Sequence, residues 1–315
     1  MKVLVTGANG FVGSWLIRRL LQDGHEPLGA AGPVASGTLL TESERAQVRW
    51  MPLDLTEPGS VAKVTAGPID GVVHLAALSS VSESLRDPAL AWGVNATGTA
   101  RLLGALAERR AMGAADPVVL LVSSAEVYGA GEPRPRRETD PTAPCTPYAA
   151  SKLGAELAGL ETWRRTGLRV LIARPFPHTG PGQATRFVVP AFAERILRAK
   201  RAQTPVVKTG NLEPVRDLLD VRDVVEAYLL LLAGGTPGEC YNVASGEGRP
   251  LEAVFRRLSE LASYSAAPEP DPGFARPTDI RHLVGDPTKL RTATGWAPRI
   301  TFDQTLHDVL DAQAD

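Results

Sequence analysis

The sequence predicts an α/β fold, a Rossmann-like doubly wound parallel sheet with a smaller, interleaved C-terminal substrate domain. Three observations carry this. Short runs of Val, Leu and Ile alternate with longer helical patterns in the first half of the chain. A glycine turn, Gly7-Ala8-Asn9-Gly10-Phe11-Val12-Gly13, separates the first apolar run from the first helical pattern. The texture then changes near Arg174, where a segment rich in Pro and Gly begins. Continuous apolar strands divided by helices belong to a parallel sheet covered on both faces. Right-handed crossovers make it doubly wound, with a ligand crevice at the carboxyl ends of its strands.

Residues 3–6 read as the first strand and 12–23 as its helix. Weak or short strands follow at 27–30, 48–54 and 71–76, then a helix near 88–110. A fifth strand at 118–123 precedes a helix at 148–166 and a sixth strand at 170–174. Residues 174–182 form a loop by their Pro and Gly content. Beyond it come a helix at 188–200, a strand at 206–209, a helix at 221–233, a strand at 240–244 and a helix at 251–262. A Pro-rich stretch follows at 267–277, and 131–147, with five prolines, reads as a flexible loop over the crevice. The first domain takes 1–174 plus about 214–244, and the second about 175–213 and 245–315.

The chain has 315 residues, and 34 Lys+Arg stand against 35 Asp+Glu. That balance argues against a global electrostatic grip on nucleic acid or an anionic membrane. Two cysteines, Cys145 and Cys240, exclude a disulfide framework and a zinc site built from three or four thiolates. No metal is expected. The longest apolar runs, 118–122 and 228–233, fall far below the ~20 residues of a membrane span. A cytoplasmic protein is the expectation.

Glycine at 7, 10 and 13 lets the backbone turn tightly and lets a pyrophosphate reach the helix N-terminus, whose free N–H groups and dipole favour anions. The end of the second strand, Gly29-Ala30-Ala31-Gly32, has neither an acid for ribose hydroxyls nor an Arg for a 2′-phosphate. NAD and NADP are therefore not told apart. Asp54-Leu55 can edge the adenine, and Ala76-Ala77 can let the cofactor pass closely; an ordinary strand end explains each equally well.

Tyr148 and Lys152, four apart at a helix start, share one face. An ammonium beside a phenol lowers its pKa and eases proton exchange near neutrality. The same Lys can hold a nicotinamide ribose; a snorkelling Lys beside a packed Tyr is the plainer reading. Ser124, after the fifth strand, can hydrogen-bond a substrate carbonyl, and Glu126 can act as a base.

With the glycine turn, these segments resemble the extended short-chain dehydrogenase/reductase family of nucleotide-sugar enzymes. The resemblance rests on 6–13, 74–77, 95–99, 123–129 and 148–152. Residues 174–183, 210–213 with Arg216-Asp217, 220–223 and 241–243 are most similar to GDP-6-deoxy-D-mannose reductases and GDP-mannose 4,6-dehydratases. The resemblance implies NAD or NADP as cofactor, a GDP-linked sugar as substrate and a homodimer. It implies Tyr148 as general acid/base, Lys152 as its electrostatic partner and Ser124 on the 4-keto oxygen. It implies cofactor contacts from Gly7, Asn9, Gly10, Phe11, Val12, Gly13, Asp54, Leu55, Leu75, Ala76, Ala77, Asn95, Tyr148 and Lys152. Substrate contacts would come from Ser79, Ser80, Ser124, His178, Val188, Arg216 and Arg276.

Ser79-Ser80-Val81 and Gly10-Phe11-Val12-Gly13 are closer to the reductases, so reduction of a GDP-4-keto-6-deoxy-hexose is the leading expectation. Two departures keep others open. Pro177 replaces the Asn usual in the Arg-Pro-Phe-Asn-His loop, and Glu126 stands where dehydratases carry a base. A 4,6-dehydratase or a C4 epimerase remains as an alternative, and a non-catalytic NAD(P)-binding sensor is the rival of another class. Asp220 and Asp223 read as helix caps, His74 as a packed strand residue, and Asn95 also as a backbone linker.

Overall fold

Val3, Leu4 and Val5 are wholly buried, which a strand achieves only with neighbours at both edges and helices on both faces. In this computed structural model, which describes residues 1–32, 39–274 and 280–314, they lie in β1 (Lys2–Thr6). With β2 (Glu26–Ala31), β3 (Arg49–Pro52), β4 (Gly71–His74), β5 (Val118–Val122), β6 (Arg169–Pro175) and the strand Cys240–Val243, β1 forms a seven-stranded sheet. The order is β3-β2-β1-β4-β5-β6 and then Cys240–Val243, and every pairing is parallel.

The helices Phe11–Gln22 and Val221–Gly234 cover one face through Leu16, Ile17, Leu20, Val224, Tyr228 and Leu231. Pro58–Thr65, Gly98–Ala111 and Pro147–Thr166 cover the other, led by Val61, Leu102, Leu106 and Ala155. Strand order reverses between β1 and β4, which opens the crevice beside the glycine turn. A separate apolar cluster joins Val188–Ala202, Val206–Thr209, Leu251–Leu261 and Phe302–Ala314, with Phe192 edge-on to Phe255 at 5.5 Å.

Several expectations change. The helix near 88–110 is interrupted by a π-helical turn, Gly93–Thr97, between Pro88–Trp92 and Gly98–Ala111. Asn95 sits in that turn, as π-turns often mark a side chain with special duties. The Pro-rich stretch contains a strand, Ala267–Pro270, parallel to Val206–Thr209. Its prolines alternate with Ala267 and Glu269, so the missing N–H groups need not face the partner. The loop at 131–147 is tied down at several points. Arg136 N donates to Val284 O (2.8 Å), Asn242 N to Glu138 Oε1 (2.8 Å) and Ala143 N to Val127 O (3.0 Å). Phe302–Ala314 was not anticipated, although Thr305, Leu306, Val309 and Leu310 keep helical spacing and are buried.

His74 is the packed strand residue that was expected, and its bonds are specific. Thr6 Oγ1 accepts from Ala76 N (3.1 Å), so its hydroxyl donates to His74 Nδ1 (2.8 Å). Thr99 donates to Asn95 O (2.5 Å) and so accepts from His74 Nε2 (2.9 Å). The ring is a neutral imidazole joining β1, β4 and the helix Gly98–Ala111. Burial, then the nearby Lys152 charge, lowers its pKa to about 3. The unfolded chain takes up this proton below pH ~6.5, so stability is complete above that value and falls at about 1.4 kcal/mol per pH unit below it. Urea unfolding is expected to show the wild type losing about 2 kcal/mol more than His74→Gln between about pH 7.5 and about pH 5; equal losses would contradict the assignment.

Candidate active site

Gly7 has φ +69°, and a Cβ on it would stand 2.9 Å from Ala76 N. A Cβ on Gly13 would collide with the Gly7 carbonyl and lie 2.8 Å from Ala8 Cα. Both positions require glycine: Gly7 for a left-handed turn against β4's exit, Gly13 so that the helix can sit on the turn. Gly10 is the N-cap of Phe11–Gln22 and makes no side-chain cap, so first-turn N–H groups stay available to an anion. Leu75, Ala76 and Ala77 are half-buried beside this turn. Trp15 Nε1 donates to Pro181 O (3.3 Å), which lays the loop after β6 over the same helix. This turn, which leaves no room for a Cβ at Gly7 or Gly13 and leads into an uncapped helix N-terminus, fits a dinucleotide pyrophosphate.

Asp54 is exposed, and its Oδ1 accepts from Thr56 N (2.8 Å) and Thr56 Oγ1 (2.6 Å). Leu55 is buried, its carbonyl accepts from Arg101, and Gly98 lies close against its Cβ. Asn95 is 1% exposed, and its amide is used by protein. Its Oδ1 accepts from Leu78 N (2.8 Å), and its Nδ2 donates to Leu78 O (3.1 Å) and Ser151 Oγ (2.9 Å). The side chains of Leu55 and Asn95 are thus built into the crevice wall, and for Asn95 this is the linker reading.

Ser124 leaves β5 in extended conformation, and its Oγ accepts from Glu126 N (3.2 Å). Tyr148 and Lys152 lie in the first two turns of Pro147–Thr166, which Thr146 caps at Ala149 N (3.1 Å). Ser124 and Glu126 both lie close enough to the Tyr148 side chain to act on its phenol. The phenol is pushed above the usual range, by burial first and then by Glu126, while Ser124 opposes the rise. This corrects the expectation that Lys152 lowers it. The Lys152 ammonium instead donates to Val122 O (2.5 Å), and burial brings its pKa down to about 8 against the pull of Glu156. A proton-bearing phenol beside a serine hydroxyl, one helical turn from a buried lysine, can give a proton to a forming alkoxide.

On the substrate side, Ser79 is exposed, and Ser80 caps Val81–Arg86 through Glu83 N (3.2 Å). His178 donates from Nδ1 to Phe176 O (3.0 Å), and burial lowers its pKa. Val188 opens Val188–Ala202, whose N-cap Phe187 makes no side-chain cap. Arg216 Nη1 donates to Ile280 O (2.6 Å) and Val215 O (3.0 Å). Its neighbour Asp217 faces elsewhere, accepting from Ser245 N (2.9 Å), Ser245 Oγ (2.6 Å) and Gly246 N (2.9 Å). Arg276 lies outside the described residues. Asp220 caps its helix through Arg222 N (2.8 Å), whereas Asp223 accepts from Arg299 N (3.0 Å) and Ile300 N (3.1 Å) instead.

Sequence reasoning missed a buried polar network behind the Tyr148 helix. Arg174 forks onto Glu156 (Nη2–Oε2 2.6 Å, Nε–Oε1 2.9 Å), and Ser123 Oγ donates to Glu156 Oε1 (2.5 Å). The signal was present, since Glu156 continues the four-residue step of Tyr148 and Lys152.

The profile of the family described as GDP-mannose 4,6 dehydratase matches residues 4–309. The chain belongs to this family. It is 37% identical to a GDP-6-deoxy-D-mannose reductase from Pseudomonas aeruginosa, over 98% of this chain and 96% of the relative. A solved structure of RMD from Pseudomonas aeruginosa complexed with NADPH is 36% identical and superposes with a TM-score of 0.84, covering 99% of this chain and 98% of that one. A Thermus thermophilus UDP-glucose 4-epimerase in complex with NAD is 31% identical, with a TM-score of 0.86 over 100% and 99% of the two chains. The family thus pairs this sheet with NAD(P) and nucleotide sugars. Among the described residues no helix is long and apolar enough to cross a membrane.

Gly7→Ala forces a Cβ toward Ala76 N and a non-glycine residue into positive φ. It is expected to cost about 1–3 kcal/mol and to weaken NADPH binding, read by denaturant titration and by NADPH fluorescence. Wild-type stability together with wild-type binding would overturn the role given to this turn.

Proposed function

We propose that this protein reduces the C4 keto group of a GDP-4-keto-6-deoxy-hexose with NADPH or NADH. The observation that carries the reading is that Ser124, leaving β5, lies close enough to the Tyr148 phenol to act on it while burial holds the phenol in its protonated form. A reductase needs a proton donor at that point, and a phenol with a raised pKa stays loaded as the pH rises. The 37% identity to a GDP-6-deoxy-D-mannose reductase supports the substrate, and the NADPH in a similar solved structure supports the cofactor.

The bound nicotinamide would supply a hydride to C4. Ser124 donates a hydrogen bond to the ketone oxygen and orients it. Tyr148 passes its phenolic proton to that oxygen as negative charge develops, and Lys152 stabilises the phenolate left behind. The cofactor would occupy residues 1–174 with about 214–244, held by the turn of Gly7, Gly10 and Gly13. The sugar nucleotide would occupy about 175–213 and 245–315, with Arg216 and Arg276 toward its diphosphate.

A second reading, GDP-mannose 4,6-dehydratase, is favoured by Glu126, whose carboxylate stands near enough to Tyr148 to raise its pKa. It could take a C5 proton. The purified protein should oxidise NADPH or NADH only when given the keto sugar. Conversion of GDP-mannose without net cofactor oxidation would favour the dehydratase instead. Tyr148→Phe should lower kcat by about 10²–10⁴-fold with the protein still folded; undiminished turnover would refute the chemistry.

We also propose a homodimer. Leu85, Leu90 and Trp92 are 46%, 46% and 45% exposed on short helices packed along Pro147–Thr166, whose Leu157 is 62% exposed. Such apolar residues grouped on neighbouring helices suit a second copy of the same face. Light scattering should give twice the chain mass, and Leu157→Asp should reduce it to one; a monomeric wild type would end this proposal.

A further inference from the structure

Glu156 has no direct line to the reacting atoms, yet it is 2% exposed in the wall behind them. Tyr148, Lys152 and Glu156 follow each other at four-residue steps down one stripe of Pro147–Thr166. Three donors converge on the Glu156 carboxylate: Ser123 Oγ, Arg174 Nε and Arg174 Nη2. The chain of bonds continues. Arg174 Nη1 donates to Tyr128 Oη (3.0 Å), Tyr128 to Asn242 Oδ1 (2.7 Å), and Asn242 Nδ2 to Arg136 O (2.8 Å). The carboxylate is thus clamped from β6, from the end of β5 and, through Tyr128, from the strand Cys240–Val243. It cannot swing away from the lysine one turn above it.

Lys152 is 5% exposed and, among the described residues, has one hydrogen-bond acceptor, the Val122 carbonyl. A buried ammonium with a single neutral acceptor tends to lose its proton. We infer that Glu156 is a positioning residue, a fixed buried carboxylate that keeps Lys152 charged while Arg174 and Ser123 hold it in place. This rests on the reading of Tyr148 and Lys152 given above. Among the described residues, Glu156 on the same helix acts to keep the proton on Lys152. From β4 comes His74, a neutral ring whose pKa is lowered to about 3. From the end of β5 comes the Val122 carbonyl. Arg174 of β6, of the same sign as Lys152, is bonded to Glu156. Cys240, on the next strand, is a thiol pushed up to about 12. Glu126 acts on Tyr148.

The sign follows directly. A carboxylate favours the charged lysine, so its removal lets the ammonium deprotonate at lower pH. Glu156→Gln should therefore shift the alkaline limb of the kcat profile toward acid by about one pH unit or more. The pH at which NADPH binding weakens, read by fluorescence without turnover, should shift equally. Glu156→Asp keeps the charge and should restore the limb even if its thermal stability falls as far. Where Glu156→Gln does not fold, the double variant Glu156→Gln/Arg174→Gln is compared with Arg174→Gln alone, so that only the carboxylate differs, and its limb should lie at lower pH. A folded Glu156→Gln with a wild-type limb in both measurements would overturn the inference, as would a double variant whose limb matches that of Arg174→Gln, or an equal shift in Glu156→Asp. Tyr148→Phe, assayed beside them, separates the two claims. If it keeps full turnover the reading of the site fails, whereas if it is inactive and Glu156→Gln is unshifted only the role of Glu156 fails.

Discussion

The close approach of the Gly7 turn to the exit of β4 is the constraint on which the crevice depends. Parallel strands place their carboxyl ends at one edge, and the order of this sheet separates the connections of β1 and β4 there. The turn can then lie against Ala76 only because Gly7 has no Cβ. Thr6 secures the approach from below, accepting from Ala76 N and donating to His74. A slip here would tilt the helix Phe11–Gln22, lift its uncapped N-terminus from the crevice and disturb the loop that Trp15 holds. The cofactor cradle is therefore a property of two strand ends and one helix together.

Polar groups within the apolar layers organise the rest of the site. His74, Asn95 and the Glu156–Arg174 pair are each buried, and each is hydrogen-bonded on several sides. Burying them unpaired would cost more than their bonds return, so each holds its neighbours to one geometry. Asn95 fixes the Leu78 turn and Ser151, next to Lys152. Tyr128 and Asn242 carry the Glu156–Arg174 pair across to the Pro-rich loop, which is why that segment is anchored despite its composition. A buried ion pair need not raise stability over an apolar replacement; its value here is in the charge and position it gives to a neighbouring lysine.

Much of the fold and part of the site were legible in the sequence. Val3–Thr6, Val118–Val122 and Val170–Arg174 read as strands because residues buried on both faces are apolar throughout. The glycine turn read as a ligand cradle because a tight turn before a helix limits residue type so sharply. Tyr148, Lys152 and Ser124 stood out through helix spacing and strand-end position. The π-turn at Asn95 and the strand Ala267–Pro270 did not, since both come from partners distant in the chain. The Tyr148 phenol was misjudged for a related reason: its charge environment is set by burial and Glu126, and neither distance is readable from spacing.

By itself, then, the order of residues pointed to the parallel sheet, its glycine cradle and the grouping of Ser124, Tyr148 and Lys152, because local periodicity, backbone sterics and residue type decide those. Only the tertiary structure decided which polar groups are spent on the protein and which face the crevice. Asn95 and Asp217 were turned inward, the phenol was raised rather than lowered, and Glu156 was set behind Lys152. Such outcomes depend on desolvation and on contacts between segments a hundred or more residues apart, such as Tyr128 with Asn242. Those energies exist only once the layers have closed over them.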